Sequence, residues 1–133
     1  MESKTRKLKL LLKNDRFANH NDIRLISSGN GEAIAEMTVS EKHLNGVNII
    51  HGGALFTLAD FAFAAASNSH GRIAVASDAS IKFFKGVSSG KLTAKAKELN
   101  SGKTLSSYTV DIIDDNDTQI AFFSGTAFMK GKY

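Results

Sequence analysis

The sequence predicts an α+β fold in which an antiparallel sheet wraps around one long central helix, with a short helix ahead of both. Two observations carry that expectation. Residues 52–69 pattern as a single helix that is apolar nearly all round, and such a helix is buried on every side or crosses a membrane. The segments flanking it repeat their apolar residues at every second position, the period of half-buried strands. Four or five antiparallel strands can curve about such a helix and cover it.

Residues 5–16 pattern as the short helix, with Leu8, Leu11 and Leu12 on one side and lysines on the other. A brief strand signal over 23–26 is followed by a turn at Gly29-Asn30-Gly31 and a second strand over 32–39. Residues 40–48 are polar and irregular. In the central helix Ala54, Leu55, Leu58, Ala59, Ala62, Ala64, Ala65 and Ala66 favour helix, and no proline interrupts them. Gly71 suits a left-handed cap at its end. Ile73, Val75, Ser77, Ala79, Ile81 and Phe83 then share one face of a strand, opposite Asp78 and Lys82. Strand patterns over 92–97, 105–113 and 118–130 follow as a three-stranded antiparallel meander.

The 133 residues, 42% of them hydrophobic, suffice for one domain with a proper core. Residues 1–20 read as a helical lead-in and 21–133 as the domain proper. The absence of cysteine excludes disulfides and thiolate metal sites and suits a reducing cytoplasm, the compartment expected. Four histidines lack ligand spacing, so no metal is expected. The central helix falls short of the roughly 20 apolar residues a bilayer crossing needs. Leu8 to Leu12 are hemmed in by lysines, so neither a membrane partner nor a secretory leader is expected. The net charge of +4 resides in the first thirteen residues, five basic against one acidic; the rest balances twelve with twelve. That segment reads as a solvated amphipathic helix with its leucines docked, and the balance elsewhere argues against a nucleic-acid-binding face.

Asp60 is the anomaly, set among Leu58, Ala59, Phe61 and Ala62. An ionised carboxylate there is costly unless it is paired or has a task. Upstream, His51-Gly52-Gly53 delivers the chain into the helix N-terminus, where unpaired amides and the macrodipole favour an oxyanion. One carboxylate and one amide-lined anion site on the same helix point to acyl chemistry.

Asn45-Gly46, His51-Gly52-Gly53, Phe56, Leu58-Ala59-Asp60, Ala62-Phe63-Ala64, Asn68-Ser69 and Gly71 form a pattern that continues past the helix. Ala74-Val75-Ala76-Ser77, Ile81, Phe83 and Gly102-Lys103 extend it. Over about residues 20–130 the chain resembles the phenylacetic-acid-degradation thioesterases of the hotdog superfamily. The resemblance implies a hotdog fold and hydrolysis of acyl-coenzyme A thioesters. It implies no cofactor beyond the coenzyme A that the substrate carries. It also implies a homo-oligomer, a dimer at minimum and commonly a tetramer of dimers.

Carried over by residue, the resemblance makes Asp60 the general base or nucleophile and the Gly52 amide the donor to the thioester carbonyl. Asn45 would orient the attacking water and His51 would sit beside the thioester. Gly53, Phe56, Ser77, Phe83 and Lys103 are the candidate substrate-binding positions. Some relatives assist the acid with a serine or threonine; Ala76 and Ala64 stand at those positions here, with Ser77 one residue away. Phe56, Phe61, Phe83 and Phe84 could line a pocket for an aryl or medium-chain acyl group, though phenylalanines are also ordinary core. Lys82, Lys85 and Lys103 could meet coenzyme A phosphates, though such lysines are usually just solvated.

Helix geometry adds a constraint. Gly52 and Asp60 are separated by about 12 Å along the axis at about 1.5 Å per residue, whereas base and oxyanion donor must reach one carbonyl at about 3 Å. Two antiparallel helices of a two-fold dimer would satisfy both, with two shared sites. The alternatives are a hotdog hydroxyacyl-thioester dehydratase, disfavoured by the acid within the helix, and a non-hydrolytic acyl-CoA sensor. A sensor would have no use for Asp60, and the twenty residues before Asp22 are too few for an output domain.

Overall fold

The structure, a computed structural model, describes residues 4–132. Helices α1 (Lys4–Lys13) and α2 (Arg16–His20) precede the hairpin β1 (Arg24–Gly29) and β2 (Glu32–Thr38). The central helix α3 (Gly52–Ser67) leads into β3 (Arg72–Phe83), β4 (Lys91–Asn100), β5 (Leu105–Ile113) and β6 (Gln119–Lys132). All six strands form one antiparallel sheet in the order β1-β2-β4-β5-β6-β3, and α3 packs against every one of them. This is the hotdog arrangement.

The sheet has six strands rather than the expected four or five. β3 does not neighbour β4; it pairs with β6 at the far edge. Residues 84–90 cross three strand spacings, roughly 14 Å, which seven residues span easily. Periodicity identifies strands, whereas their order depends on what such a crossing loop can reach.

The lead-in contains two helices rather than one. Asp15 Oδ1 accepts the Ala18 amide at 3.0 Å and starts α2 anew. Leu8 and Leu12 are buried in the common core, one turn apart, but Leu11 lies on the flank of α1 and is 45% exposed. The expectation that it docks is corrected. The β1–β2 turn is as the Asn-Gly pair predicts, with Asn30 (φ 52°) and Gly31 (φ 79°) both left-handed, as a type I′ hairpin needs.

Leu58, Ala59, Ala62, Ala65 and Ala66 are fully buried, and the alanines let α3 approach the sheet closely. Phe63 is the largest side chain on that face. Its ring centroid lies 5.6 Å from Tyr108 and 5.5 Å from Phe123. Gly125 on β6 makes room, since a Cβ there would meet Phe63 Cζ at 3.1 Å.

β3 does not keep the single apolar face expected of it. Its register with β6 slips between Ala76 and Asp78, leaving Ser77 as a bulge residue. One extra residue reverses the faces. Before the bulge Ala74 is buried while Ile73 and Val75 are exposed; beyond it Ala79 and Ile81 pack against the core and Phe83 is exposed.

Two polar ties fix the ends of α3. Glu98 on β4 accepts the Tyr108 hydroxyl at 2.5 Å and lies 2.8 Å from His70 Nε2, joining the α3–β3 turn to β4 and β5. Burial, and then the Glu98 carboxylate, push the Tyr108 phenol far above its ordinary range. At the other end buried His43 accepts the Ser40 amide through Nδ1 and donates from Nε2 to Asn21 O at 3.0 Å.

Candidate active site

The loop before α3 is held by its own side chains. Asn45 Oδ1 accepts the amides of Val47 at 3.0 Å and Ile49 at 3.3 Å, an Asx turn. The left-handed residue in that loop is Asn48 (φ 61°). Ile50 N–H donates to Val87 O and His51 N–H to His43 O, both at 2.7 Å. These bonds deliver His51 as the N-cap of α3, where its Nδ1 accepts the Gly53 amide at 2.8 Å. The ring proton of neutral His51 therefore sits on Nε2.

With Gly53 satisfied by His51, the Gly52 amide has no acceptor among the described residues. It faces the helix macrodipole's positive end and can donate to a developing oxyanion. The Phe83 ring lies over it, and a Cβ at Gly52 would meet Phe83 Cζ at 3.0 Å. A cleft of about 390 Å³ opens here, lined by Ile49, Leu55, Phe83, Phe84 and Gly86 with Lys85 as its one charged group.

Asp60 is two turns further along α3. It belongs to a stripe of Gly53, Phe56, Thr57, Asp60 and Ala64 that is open or half-open, while the helix's other faces are buried. Among the described residues nothing donates a hydrogen bond to Asp60, and no cation pairs with it. Burial raises its pKa above the ordinary carboxylate value, and the negative charge of Asp15 adds to that. Asp15→Asn keeps the cap on α2, since asparagine caps equally well, and removes only the charge. In that variant the acid limb of the pH–rate profile is expected to move to lower pH with the plateau kcat unchanged. An unmoved limb would remove Asp15 from any role in tuning Asp60.

The structure thus brings Asn45, His51, Gly52, Gly53 and Phe83 together at the start of α3 and leaves Asp60 apart from them. Phe56 is partly core, its ring meeting Phe123 edge-on at 5.5 Å. Ser77 donates to Thr126 O at 3.1 Å from the bulge. Lys103 is not brought to this cluster in one protomer. Its carbonyl accepts from Arg72 Nη2 at the start of β3, whereas Gly52 abuts Phe83 at the other end, a separation of up to about 36 Å at about 3.3 Å per residue. Ile49 and Asp15 were not legible as site neighbours, because no sequence period links a loop tip or a remote helix cap to α3.

A hotdog sheet around a helix whose N-terminal amide and mid-helix carboxylate have no partners among the described residues has the features of a thioester-hydrolysing enzyme. The profile of the thioesterase superfamily matches residues 47–121. A putative esterase of Archaeoglobus fulgidus is 41% identical over 119 residues, covering 89% of this chain and 77% of that one. The acyl-coenzyme A thioesterase PaaI of Escherichia coli is 39% identical over 122 residues, 91% of this chain and 87% of its own. The solved structure of E. coli PaaI superimposes with a TM-score of 0.92, covering 97% of this chain and 94% of that one. A Streptococcus mutans protein solved bound to acetyl CoA is 28% identical, with a TM-score of 0.79 over 83% of this chain and 90% of that one. The chain belongs to the thioesterase superfamily, as a hotdog-fold acyl-CoA thioesterase of the PaaI-like branch.

Proposed function

We propose that this enzyme hydrolyses aryl- or medium-chain acyl-coenzyme A at two equivalent sites of a two-fold dimer. Each site takes the Gly52 amide from one protomer and Asp60 from its partner. The observation that carries this reading is that both groups lack partners among the described residues of one protomer, yet stand eight residues apart on one helix. The open stripe through Asp60 supports an antiparallel mate for α3. The twelve-residue edge strand β3, with Ile73 and Val75 exposed, supports pairing of sheet edges. On the outer sheet face Leu105, Phe128 and Val75 stand in register and are 51%, 41% and 43% exposed; that row is the surface on which two dimers would join as a tetramer.

In the proposed reaction the acyl carbonyl oxygen accepts from Gly52 N–H. Asn45 Nδ2, its Oδ1 being occupied by the loop, holds a water. The partner's Asp60 takes a proton from that water as its oxygen bonds to the carbonyl carbon. The oxyanion collapses, the carbon–sulfur bond breaks, and the thiolate leaves with the proton that Asp60 returns. Attack by Asp60 itself would give a mixed anhydride that water then cleaves; oxygen-18 incorporation into Asp60 in a single turnover distinguishes the two. The apolar cleft beside Gly52 supports an aryl or medium-chain acyl group, and His51 and Phe83 flank the reacting carbonyl.

Free-thiol release from aryl and fatty acyl-coenzyme A thioesters tests the activity, and subunit mixing tests the shared site. Proline is tolerated at the first helical position and lacks the amide proton, so Gly52→Pro removes the oxyanion donor, while its ring also pushes aside the exposed Phe83 side chain. It is expected to cost about 10²–10³-fold in kcat. Mixing it with Asp60→Asn leaves one intact site per mixed dimer, so about a quarter of wild-type activity is expected to return after subunit exchange. If two dead variants stay dead together, although mixed dimers form, the sites are not shared.

A further inference from the structure

We propose that the face formed by α1 and the β1 bulge docks this enzyme on an anionic lipid surface. The first thirteen residues carry the whole net charge of the chain. α1 buries Leu8 and Leu12 but leaves Leu10 and Leu11 49% and 45% exposed. Arg6, Lys9 and Lys13 are exposed around them. Ile26 extends the same surface. The β1–β2 register slips between Leu25 and Ser27, so Ile26 has no cross-strand partner and is 51% exposed. Lys9 lines one hollow with Leu25 and Ile26 and an adjoining one with Lys13, Leu25 and Phe61, which sets the Lys9 and Lys13 side of α1 beside the bulge.

Exposed leucines interleaved with long cations on the outer side of α1, with exposed Ile26 beside its lysine edge, match an interface between water and acyl chains. The cationic ends can reach lipid phosphates while leucine and isoleucine enter the acyl boundary. Nucleic acid would satisfy the charge and leave the leucines wet. β1 and β3 are opposite edges of the sheet, so a dimer paired through β3 leaves the β1 edge and its Ile26 bulge outside that strand pairing. The proposal concerns attachment and does not depend on which residues perform hydrolysis.

Co-sedimentation of the full chain with phosphatidylcholine vesicles, alone or with roughly one-third phosphatidylglycerol, tests it. Binding is expected to the anionic vesicles only and to weaken as salt is added. Lys9→Gln and Lys13→Gln are each expected to lower partitioning about fivefold. Leu10→Ser with Ile26→Ser is expected to lower it about tenfold or more, with oligomeric mass and thiol release from a soluble short-chain thioester unchanged. Absence of binding to anionic vesicles, or binding that none of these substitutions weakens, overturns the proposal. So does a fall in oligomeric mass in the serine variant, which would show that a second copy covers this face. The lysine variants, changed only at solvated positions, keep the test decisive should the serine variant not fold.

Discussion

Replacing Asp60 with asparagine is expected to lower kcat/KM for acyl-coenzyme A hydrolysis by about 10²–10⁴-fold and to leave the fold intact. Asparagine preserves shape but can neither take a proton nor attack. The same substitution is expected to raise stability at neutral pH, and the sign follows from linkage. The folded-state pKa of Asp60 lies above its unfolded value because burial and Asp15 disfavour the charged form. Between those two values the folded state holds more protons than the unfolded one, so stability falls as pH rises through that window. Above it the wild type bears the cost of a partly buried charge with no partner among the described residues, and the asparagine variant does not. Hydrolysis runs the other way, because a general base must be ionised; its acid limb is expected at a higher pH than an ordinary aspartate would give. Urea melts at acid and neutral pH, alongside thiol-release profiles, check both. A variant that is inactive and also less stable at neutral pH would mean that Asp60 holds the structure together instead.

Phe63→Ala is expected to cost about 3–5 kcal/mol, a large share of the roughly 5–15 kcal/mol that holds a domain folded. Phe63 is 2% exposed and packs against both Tyr108 and Phe123. Phe123 in turn meets Phe56, so the lost ring opens a gap in a cluster shared by α3, β5 and β6. Backbone on both sides is fixed by the sheet ladder and by a full helix, which limits how far the gap can close. The urea midpoint is expected to fall with the slope unchanged. A loss below about 1 kcal/mol would show that neighbouring rings collapse into the space.

Much of this was legible because one segment breaks a rule. A helix apolar on all sides needed a sheet around it, and Asp60 within it needed a reason. Gly52 and Asp60 were readable as groups that one helix cannot bring together, because a fixed rise per residue turns sequence spacing into distance. The pairing of β3 with β6 was not readable, since alternation reports a strand and says nothing of its neighbour. The bulge at Ser77 escaped for a related reason: a period of two cannot reveal where one residue is skipped. Leu11 misled because three-residue spacing from Leu8 is compatible with a shared face without requiring it. The influence of Asp15 on Asp60 joins residues forty-five positions apart and exists only once α2 folds back beside α3.

The irregular register of β3 bears on how this chain behaves in a crowded cell. A long bare edge invites any extended segment to add itself as another strand, which is how many proteins begin to precipitate. This edge strand carries one extra residue, at Ser77. A regular foreign strand laid along it would lose step there and leave amides and carbonyls unmatched. In the proposed dimer the mate carries the same bulge, and a two-fold axis near Ser77 would set the two opposite each other. The bulge would then act as a password at one of the sheet's two borders.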